Sequence, residues 1–442
     1  MNPSVITRFA PSPTGLFHLG SYRTAIFSYL YARKQGGTFV LRIEDTDKAR
    51  STHEYEVGIL DTLLWLGLEY DKQYRQSEEA PRHRALLEAL IAKDQAYLST
   101  ETSSESGEER TVVRFRNPGT TISFTDVIRG SISMDTTDLG DFVIARSIYE
   151  PLFHFAVVAD DARDGVTHVI RGEDHISNTP RQILIQQALG FPTPTYAHLP
   201  LVLGPDRAKL SKRRGARGVL EYRELGYLPE AILNYTALLG WHPSDDQEIF
   251  TKEELVEHFD LPRIQKGGAQ FDETKLLWFN HEHIKRLSDE EFLSRLSEYL
   301  TKKNISTPGY LPKAAPLLKE RSQTFADAAE ALSQGEFRFF ESATPTTQLL
   351  LIGTRGADAE VVKTHLLKVE DYLSNLSPEH FNREGVKEVV FPYATEAGRA
   401  AVLWPMRVAL SGAEKSPDPF VLAELLGKEL TLLRIAAAVR LL

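Results

Sequence analysis

The opening of the chain constrains its architecture most. A short β-prone run at residues 5–9 leads into the breaker-rich loop APSPTG, and an apolar helical pattern follows from about residue 18 to 34. Gly36 and Gly37 end that helix, and residues 38–43 read as a second strand running into Glu44, Asp45 and Asp47. Strand, helix and strand in this order are the unit of a parallel sheet, because parallel neighbours need a crossover and a helix supplies it.

A chain of 442 residues exceeds what one hydrophobic core can serve, which suggests about two to four domains. Helical periods follow at 53–66 and 78–92. The polar stretch STETSSESGEER at 99–110 has no periodicity and reads as a boundary or flexible loop. Short β-rich pieces (VVRFR, TISFTDVIRG, SISMD) then run to about residue 148 as a small insert. Alternation resumes with FHFAVVADD, THVIRGEDH and a helix at 179–189, and beyond residue 222 the chain is mainly helical. Near the end, Pro419 starts a helix and Gly427 stops it. The fold class expected is α/β, two halves split by an insert, followed by an all-α C-terminal region.

Composition narrows the chemistry. There are no cysteines, so disulfides and cysteine-ligated zinc or iron–sulfur sites are excluded, and a reducing compartment fits. His281 and His283 flank Glu282, but no metal-binding histidine spacing occurs, and a solvated turn or helix face is the expected setting. No apolar run is long enough to span a bilayer, and the first residues lack a secretory pattern, so the cytoplasm is the expected compartment. A net charge of −10 argues against indiscriminate coating of nucleic acid. Residues 207–217 are the exception, with six positive charges and no negative one.

Two short strings carry phosphate chemistry. His18, Leu19, Gly20 and Ser21 stand where a helix begins just past a strand. A helix start offers free N–H groups and a positive dipole end, and Gly20 lets a flat nucleotide approach the backbone. His18 could donate to a phosphate whose charge grows. Inside the basic run, Lys209, Leu210, Ser211, Lys212 and Arg213 put two lysines three apart, compact charges on flexible stems that can grip a triphosphate and release it. Either string alone equally suits a buried histidine or a solvated loop.

Together and in this order they resemble the His-Ile-Gly-His and Lys-Met-Ser-Lys-Ser signatures of class I aminoacyl-tRNA synthetases. The strings RFAPSPTGLFHLGSYRTAIFSYL, GGTFVLRIEDTD, THVIRGEDHISNTPRQIL, AHLPLVLGPDRAKLSKRRGA and YLPEAILNYTALLGW are similar to the bacterial glutamyl-tRNA synthetase family in particular. The resemblance is dense over 7–277 and looser through the tail (WPMRVALSG, FVLAELLGKE). It implies a Rossmann-type catalytic fold in two halves, 1–96 and 151–245, around a shortened insert at 97–150 that meets the tRNA acceptor end. A stem-contact helical domain at 246–310 and an α-helical anticodon-binding domain at 311–442 would follow.

The resemblance also assigns roles. His18, Lys209 and Lys212 would be catalytic, with Gly20, Ser21, Ser211 and Arg213 completing the ATP site. Glutamate has two carboxylates and one ammonium, so its site needs two cationic forks and an anion. Arg8 and Arg171 would supply the forks and Glu44 the anion, with Ala10, Ser12 and Phe153 completing the pocket. ATP with Mg²⁺, L-glutamate and tRNA(Glu) are the implied substrates, with tRNA(Gln) a further candidate; no zinc, no membrane and a monomer are expected.

Two departures from the family pattern stand out. Where the family carries tyrosine in Pro-Thr-Tyr-Asn-Phe-Ala, this chain has Phe153 followed by His154, and loss of the hydroxyl implies a weaker amino-acid site by about 1 kcal/mol, unless His154 takes its place. The stretch 97–112 is shorter than in typical members. Two alternatives stay open here: a paralogue that glutamylates a base within tRNA, and a catalytically silent tRNA-binding scaffold.

Overall fold

The computed structural model describes residues 4–15, 19–102, 109–210, 217–244 and 246–442. The chain divides into two compact units, Met1–His283 and Ile284–Leu442.

The first unit is built on the expected parallel unit. Strands β1 (Ile6–Phe9), β2 (Thr38–Ile43) and β3 (Lys72–Arg75) form a parallel sheet in the order β1-β2-β3. Its antiparallel companion sheet has the order β4-β5-β8-β9, from β4 (Ala96–Thr102), β5 (Glu109–Phe115), β8 (Phe142–Ser147) and β9 (Glu150–Pro151). Between β5 and β8 the hairpin β6 (Thr121–Asp126) and β7 (Gly130–Asp135) leaves for a third sheet. There β10 (His168–Gly172) pairs in parallel with β11 (Thr195–Leu199), and β11 with β6 at Tyr196 and Asp126.

Contacts of β10 with β1 explain where a ligand can bind. The Thr167 N–H donates to the Ile6 carbonyl at 3.0 Å, and the Ile6 N–H to Thr167 Oγ1 at 2.9 Å. One Arg8 Nη1 lies 3.5 Å from the Ile170 carbonyl, so β1 and β10 run the same way. The spatial order is then β3-β2-β1-β10-β11, and it reverses direction between β1 and β10. A crevice opens beyond the C-terminal ends of the strands at such a switch point.

Helix α1 (Leu19–Lys34) follows β1 and is buried almost all round, from Leu19 and Tyr22 through Ile26, Phe27 and Leu30. It packs on β1, β2 and β10, and also against helices at Pro229–Ala237 and Lys252–His258. That double burial explains why its apolar residues do not form a single stripe. Helix α2 (His53–Trp65) is capped by Thr52, whose side chain accepts from the Tyr55 N–H. Helices α3 (Ala80–Ala92), α4 (Phe153–Asp164) and α5 (Thr179–Leu189) cover the remaining sheet faces.

Within 99–110, expected to be a boundary or loop, residues 99–102 and 109–110 are strand, and 103–108 lie outside the described residues. Ser99, Thr100, Glu101 and Thr102 pair with Val112, Thr111, Arg110 and Glu109 across β4 and β5. These strand ends are half-buried to exposed, so both faces tolerate polar side chains and no alternation marks them. The supposed insert is also less separate than expected, since β6 joins the sheet of β10 and β11. His283, expected on a solvated face, is buried and bonds Asn234 Oδ1 at 3.0 Å.

The second unit is helical, as expected. Its helices are Asp289–Lys302, Leu311–Arg321, Phe325–Ser333, Thr347–Ile352, Ala359–Asn375, Arg383–Ala397, Arg399–Ser411 and Pro419–Val439. Ser288, Thr324, Asp358, Asn382 and Asp418 each accept a first-turn N–H and set helix starts. Val362, Leu366, Val369 and Leu373 make one buried stripe at helical spacing. Gly427, at φ 74° and ψ 166°, breaks the geometry of the last helix where the sequence places a stop.

Two glycines test this account. At Gly37 a Cβ would collide with the Val5 carbonyl oxygen, whereas at Gly58 inside α2 it would meet nothing within 4 Å. Gly37→Ala should therefore destabilise the protein by about 1–3 kcal/mol. Gly58→Ala should stabilise it by about 0.5–1 kcal/mol. Urea midpoints of the two variants should move in opposite directions.

Candidate functional site

A cavity of about 410 Å³ opens at the switch point. Arg8, Ala10 and Ser12 reach it from the end of β1 and its loop, and Glu44 from the end of β2. Gly20 and Ser21 come from the first turn of α1, Phe153 from the start of α4, Arg171 from β10, and Lys209 from beyond β11. Nine expected site residues thus line one cleft. The other four, His18, Ser211, Lys212 and Arg213, lie outside the described residues.

The floor of the cleft is a buried charge lattice centred on Arg42. Arg42 Nη1 donates to Asp161 Oδ1 at 2.8 Å, and its Nη2 to Glu44 Oε1 at 3.1 Å. Asp161 Oδ1 also accepts from Arg8 Nε at 3.2 Å. Burial alone would raise the Asp161 pKa, but Arg8 and Arg42 outweigh it and hold the carboxyl below its usual range. Glu44 goes the other way: burial raises its pKa against the pull of Arg42 and Arg8. A cation arriving beside Glu44 would therefore favour its charged form.

Arg171 is handled differently. It is 6% exposed, and among the described residues no carboxylate forms an ion pair with it. Its Nε donates to His198 Nε2 at 3.1 Å and its Nη2 to Thr179 Oγ1 at 2.7 Å, with the Tyr196 ring 5.4 Å away. Burial lowers its pKa to about 10. A desolvated guanidinium that no carboxylate bonds is costly, since Asp161 and Glu44 act on it only from a distance, and an anion in the cleft could bond it directly.

The rim suits phosphate. Gly20, Ser21 and Thr24 of α1 face the cavity, and α1 has no acidic residue in its first turn, so the helix start presents unopposed positive potential. Lys209 Nζ is held by Asp174 Oδ2 at 2.9 Å at the edge. Arg23, also lining the cleft, donates to the Leu239 carbonyl at 3.0 Å and to the Pro200 carbonyl.

Several site residues escaped sequence reasoning. Arg42 had a signal: a lone charge in an otherwise apolar strand, TFVLRI, must find a buried partner. Asp126 and His198 had none. His154, considered as a stand-in for the missing hydroxyl, does not line the cleft; its Nδ1 is buried with no hydrogen-bond partner. His175 does line it, with its ring 5.5 Å from that of Phe153 and its Nδ1 3.1 Å from Asn178 Nδ2. Among the described residues no group of three or more metal-ligating side chains is placed to hold an ion.

Residues 4–111 and 99–278 match the family described as tRNA synthetases class I (E and Q), catalytic domain, and 291–439 match an anticodon binding domain. The catalytic match comes in two pieces that meet at 99–111, where a shortened insert would break it. The chain is 39% identical over 478 residues to "Glutamate--tRNA ligase 1" of Acidithiobacillus ferrooxidans, covering 98% of this chain and 99% of that protein. It is 44% identical over 366 residues to "Glutamate--tRNA ligase" of Aquifex aeolicus, covering 74% and 77%. Among solved structures, a glutamate tRNA ligase from Elizabethkingia meningosepticum, in complex with its amino acid, superposes with a TM-score of 0.82 at 32% identity, covering 99% of both chains.

Beside the cleft, His154 is kept neutral. Burial, then Arg181 and Arg171, bring the His154 pKa from 6.5 to about 4. Between those values the unfolded chain binds a proton there that the folded chain refuses, so stability rises with pH across the window and falls as pH drops through it. One such group adds up to about 1.4 kcal/mol per pH unit to the slope. His154→Gln should flatten the dependence of the urea midpoint on pH from 6.5 to 4; an unaltered slope would show that this imidazole is not held neutral.

Proposed function

The chain belongs to the class I tRNA synthetases of the glutamate and glutamine type, and from that premise we propose how its cleft serves as a glutamate–tRNA ligase. The observation that carries the reading is the charge pattern. One buried arginine that no carboxylate among the described residues bonds, a second paired with Asp161, and a carboxylate whose charge burial opposes all line one cavity. Glutamate offers the matching set of two carboxylates and an ammonium.

The side-chain carboxylate stays charged throughout the reaction and goes to Arg171, which no carboxylate among the described residues bonds. The α-carboxylate lies on the Arg8 side, towards the start of α1, and the ammonium is received by Glu44 with Ser12 assisting. Ala10 and Phe153 shape the pocket walls. ATP, as its Mg²⁺ complex, places its phosphates at Gly20 and Ser21, with His18, Lys209, Ser211, Lys212 and Arg213 on the triphosphate. An α-carboxylate oxygen attacks the α-phosphorus, the bond to the bridging oxygen of pyrophosphate breaks, and glutamyl-adenylate forms. The 2′-hydroxyl of the terminal tRNA adenosine then attacks the glutamyl carbonyl and AMP leaves. Positioning and charge stabilisation do most of this.

In this reading 97–150 meets the acceptor end, 246–310 the stem and 311–442 the anticodon. The match of 291–439 to an anticodon binding domain favours it over a paralogue lacking that tail. tRNA(Glu) is the proposed acceptor, tRNA(Gln) a second to be tried, and the enzyme works as a cytoplasmic monomer; no helix among the described residues is long and apolar enough to cross a membrane.

The test is ATP–pyrophosphate exchange with tRNA present. Exchange should require glutamate, and Arg171→Ala should raise the glutamate KM by about 30-fold, the equivalent of one lost charge-assisted contact. Exchange driven by glutamine, or by no amino acid, would overturn the assignment. With no cysteine in the chain, protein stripped by chelator and returned to Mg²⁺ should keep full activity; loss of activity together with stoichiometric zinc would refute zinc independence.

A further inference from the structure

We propose that Asp126, acting through His198, aims Arg171 at the substrate carboxylate, which makes Asp126 and His198 positioning residues for glutamate. The proposal rests on the reading that Arg171 receives that carboxylate. All three side chains are buried. Asp126 Oδ2 accepts from His198 Nδ1 at 2.7 Å and from the His198 N–H at 3.0 Å. Its Oδ1 accepts from the N–H groups of Ile128 at 2.9 Å and Arg129 at 2.8 Å. Every one of these partners can donate, which suits an ionised carboxylate that only accepts.

The consequence is a fixed tautomer. With its proton on Nδ1, His198 turns an unprotonated Nε2 to the Nε–H of Arg171, 3.1 Å away, with Thr179 Oγ1 3.2 Å from the same nitrogen. The imidazole is fully buried, with the Tyr196 ring nearly parallel to it at 5.9 Å and 11°. Thr179 Oγ1 accepts from Arg171 Nη2 at 2.7 Å. The guanidinium is thereby gripped by two neutral acceptors. Nη1 has no protein acceptor among the described residues, and Arg171 lines the cleft.

A neutral gripping group has a purpose a carboxylate could not serve. A carboxylate bonded directly to Arg171 would orient it equally well, but would cancel the charge the substrate needs. The imidazole passes on the orientation set by Asp126 while keeping that charge one residue away. Asp126 ends β6, in the stretch that the sequence sets apart as an insert, so this stretch is wired to the amino-acid pocket.

Asp126→Asn tests the idea in the full-length enzyme. Its amide satisfies most donors by keeping oxygen on Ile128 and Arg129, which turns the NH₂ towards His198. The imidazole proton then moves to Nε2 and faces the Arg171 Nε–H. Glutamate KM in pyrophosphate exchange should rise about tenfold, while ATP KM and kcat stay within about twofold. Adding His198→Gln should bring glutamate KM back to within about threefold, since a glutamine carbonyl accepts from Arg171 without any tautomer to lock. Should Asp126→Asn fail to fold, His198→Leu against His198→Gln asks the same question: the first should raise glutamate KM and the second should not. Folded Asp126→Asn or His198→Leu with unchanged glutamate KM overturns the proposal, as does a joint rise in the KM of ATP and glutamate. Arg171→Ala is the separate control. If it leaves glutamate KM unaltered, the assignment of Arg171 itself fails; if it raises KM and Asp126→Asn does not, only the relay fails.

Discussion

The interaction on which the catalytic unit depends is the complete enclosure of Arg42. Its guanidinium has no exposed surface. Glu44, Asp160, Asp161 and Asp164 approach it at 3.1, 4.0, 2.8 and 3.7 Å. A buried cation is tolerable only when its partners are all in place. β2, which carries Arg42, can therefore sit only where α4 brings its three aspartates over it. Glu44 follows two residues later at the cleft, and Arg8 is drawn in from β1 by the same Asp161. His83 and Gln76 in turn hold Asp160, each at 2.7 Å, so the lattice extends to α3 and the turn before it. The site's geometry is thus a by-product of satisfying a charge in the core, and it exists before any ligand arrives.

Against that lattice the two arginines of the cleft differ in a way that chemistry can use. Arg8 shares a carboxylate with Arg42 and sits in a region where negative groups outnumber positive ones. Arg171 is held by His198, Thr179 and the face of Tyr196, none of them charged at neutral pH, since burial also lowers the His198 pKa. Orientation and ion pairing are separated: one arginine is paired and oriented by the same carboxylate, the other is oriented by neutral groups. A ligand with two unequal carboxylates can be read by such a pair, because the charge that persists through the reaction is worth most where no protein anion competes for it.

How much of this was legible in the sequence depended on the range over which the signal acts. The strand at 38–43 and the helix at 179–189 have the bounds read from the sequence, because local periodicity and breakers such as Gly36 and Gly190 mark them. That Arg8, Glu44 and Arg171 would line one cleft was legible by combining the family strings with the rule that ligands gather at strand ends. The pairing of 96–102 with 109–115 was not, since serine, threonine and glutamate on both faces hide a two-residue period. The Arg42–Asp161 and Asp126–His198 contacts span 119 and 72 residues. Periodicity reads one element at a time, so pairings set by which strands become neighbours leave no local trace.

The same reasoning explains why the cleft is not the most stable arrangement this chain could hold. A leucine in place of Arg171 would remove a desolvated charge that no carboxylate among the described residues bonds, and buried ionic groups are often outdone by apolar ones of similar volume. The fold tolerates the charge because α1, β10 and β11 are clamped around it by a large apolar core, from Phe9, Ile26 and Ile170 to Leu199 and Trp241. Stability drawn from that core offsets the cost of this desolvated charge. In the reading proposed above, a carboxylate of the substrate bonds Arg171 directly, so free energy withheld from folding is released on binding.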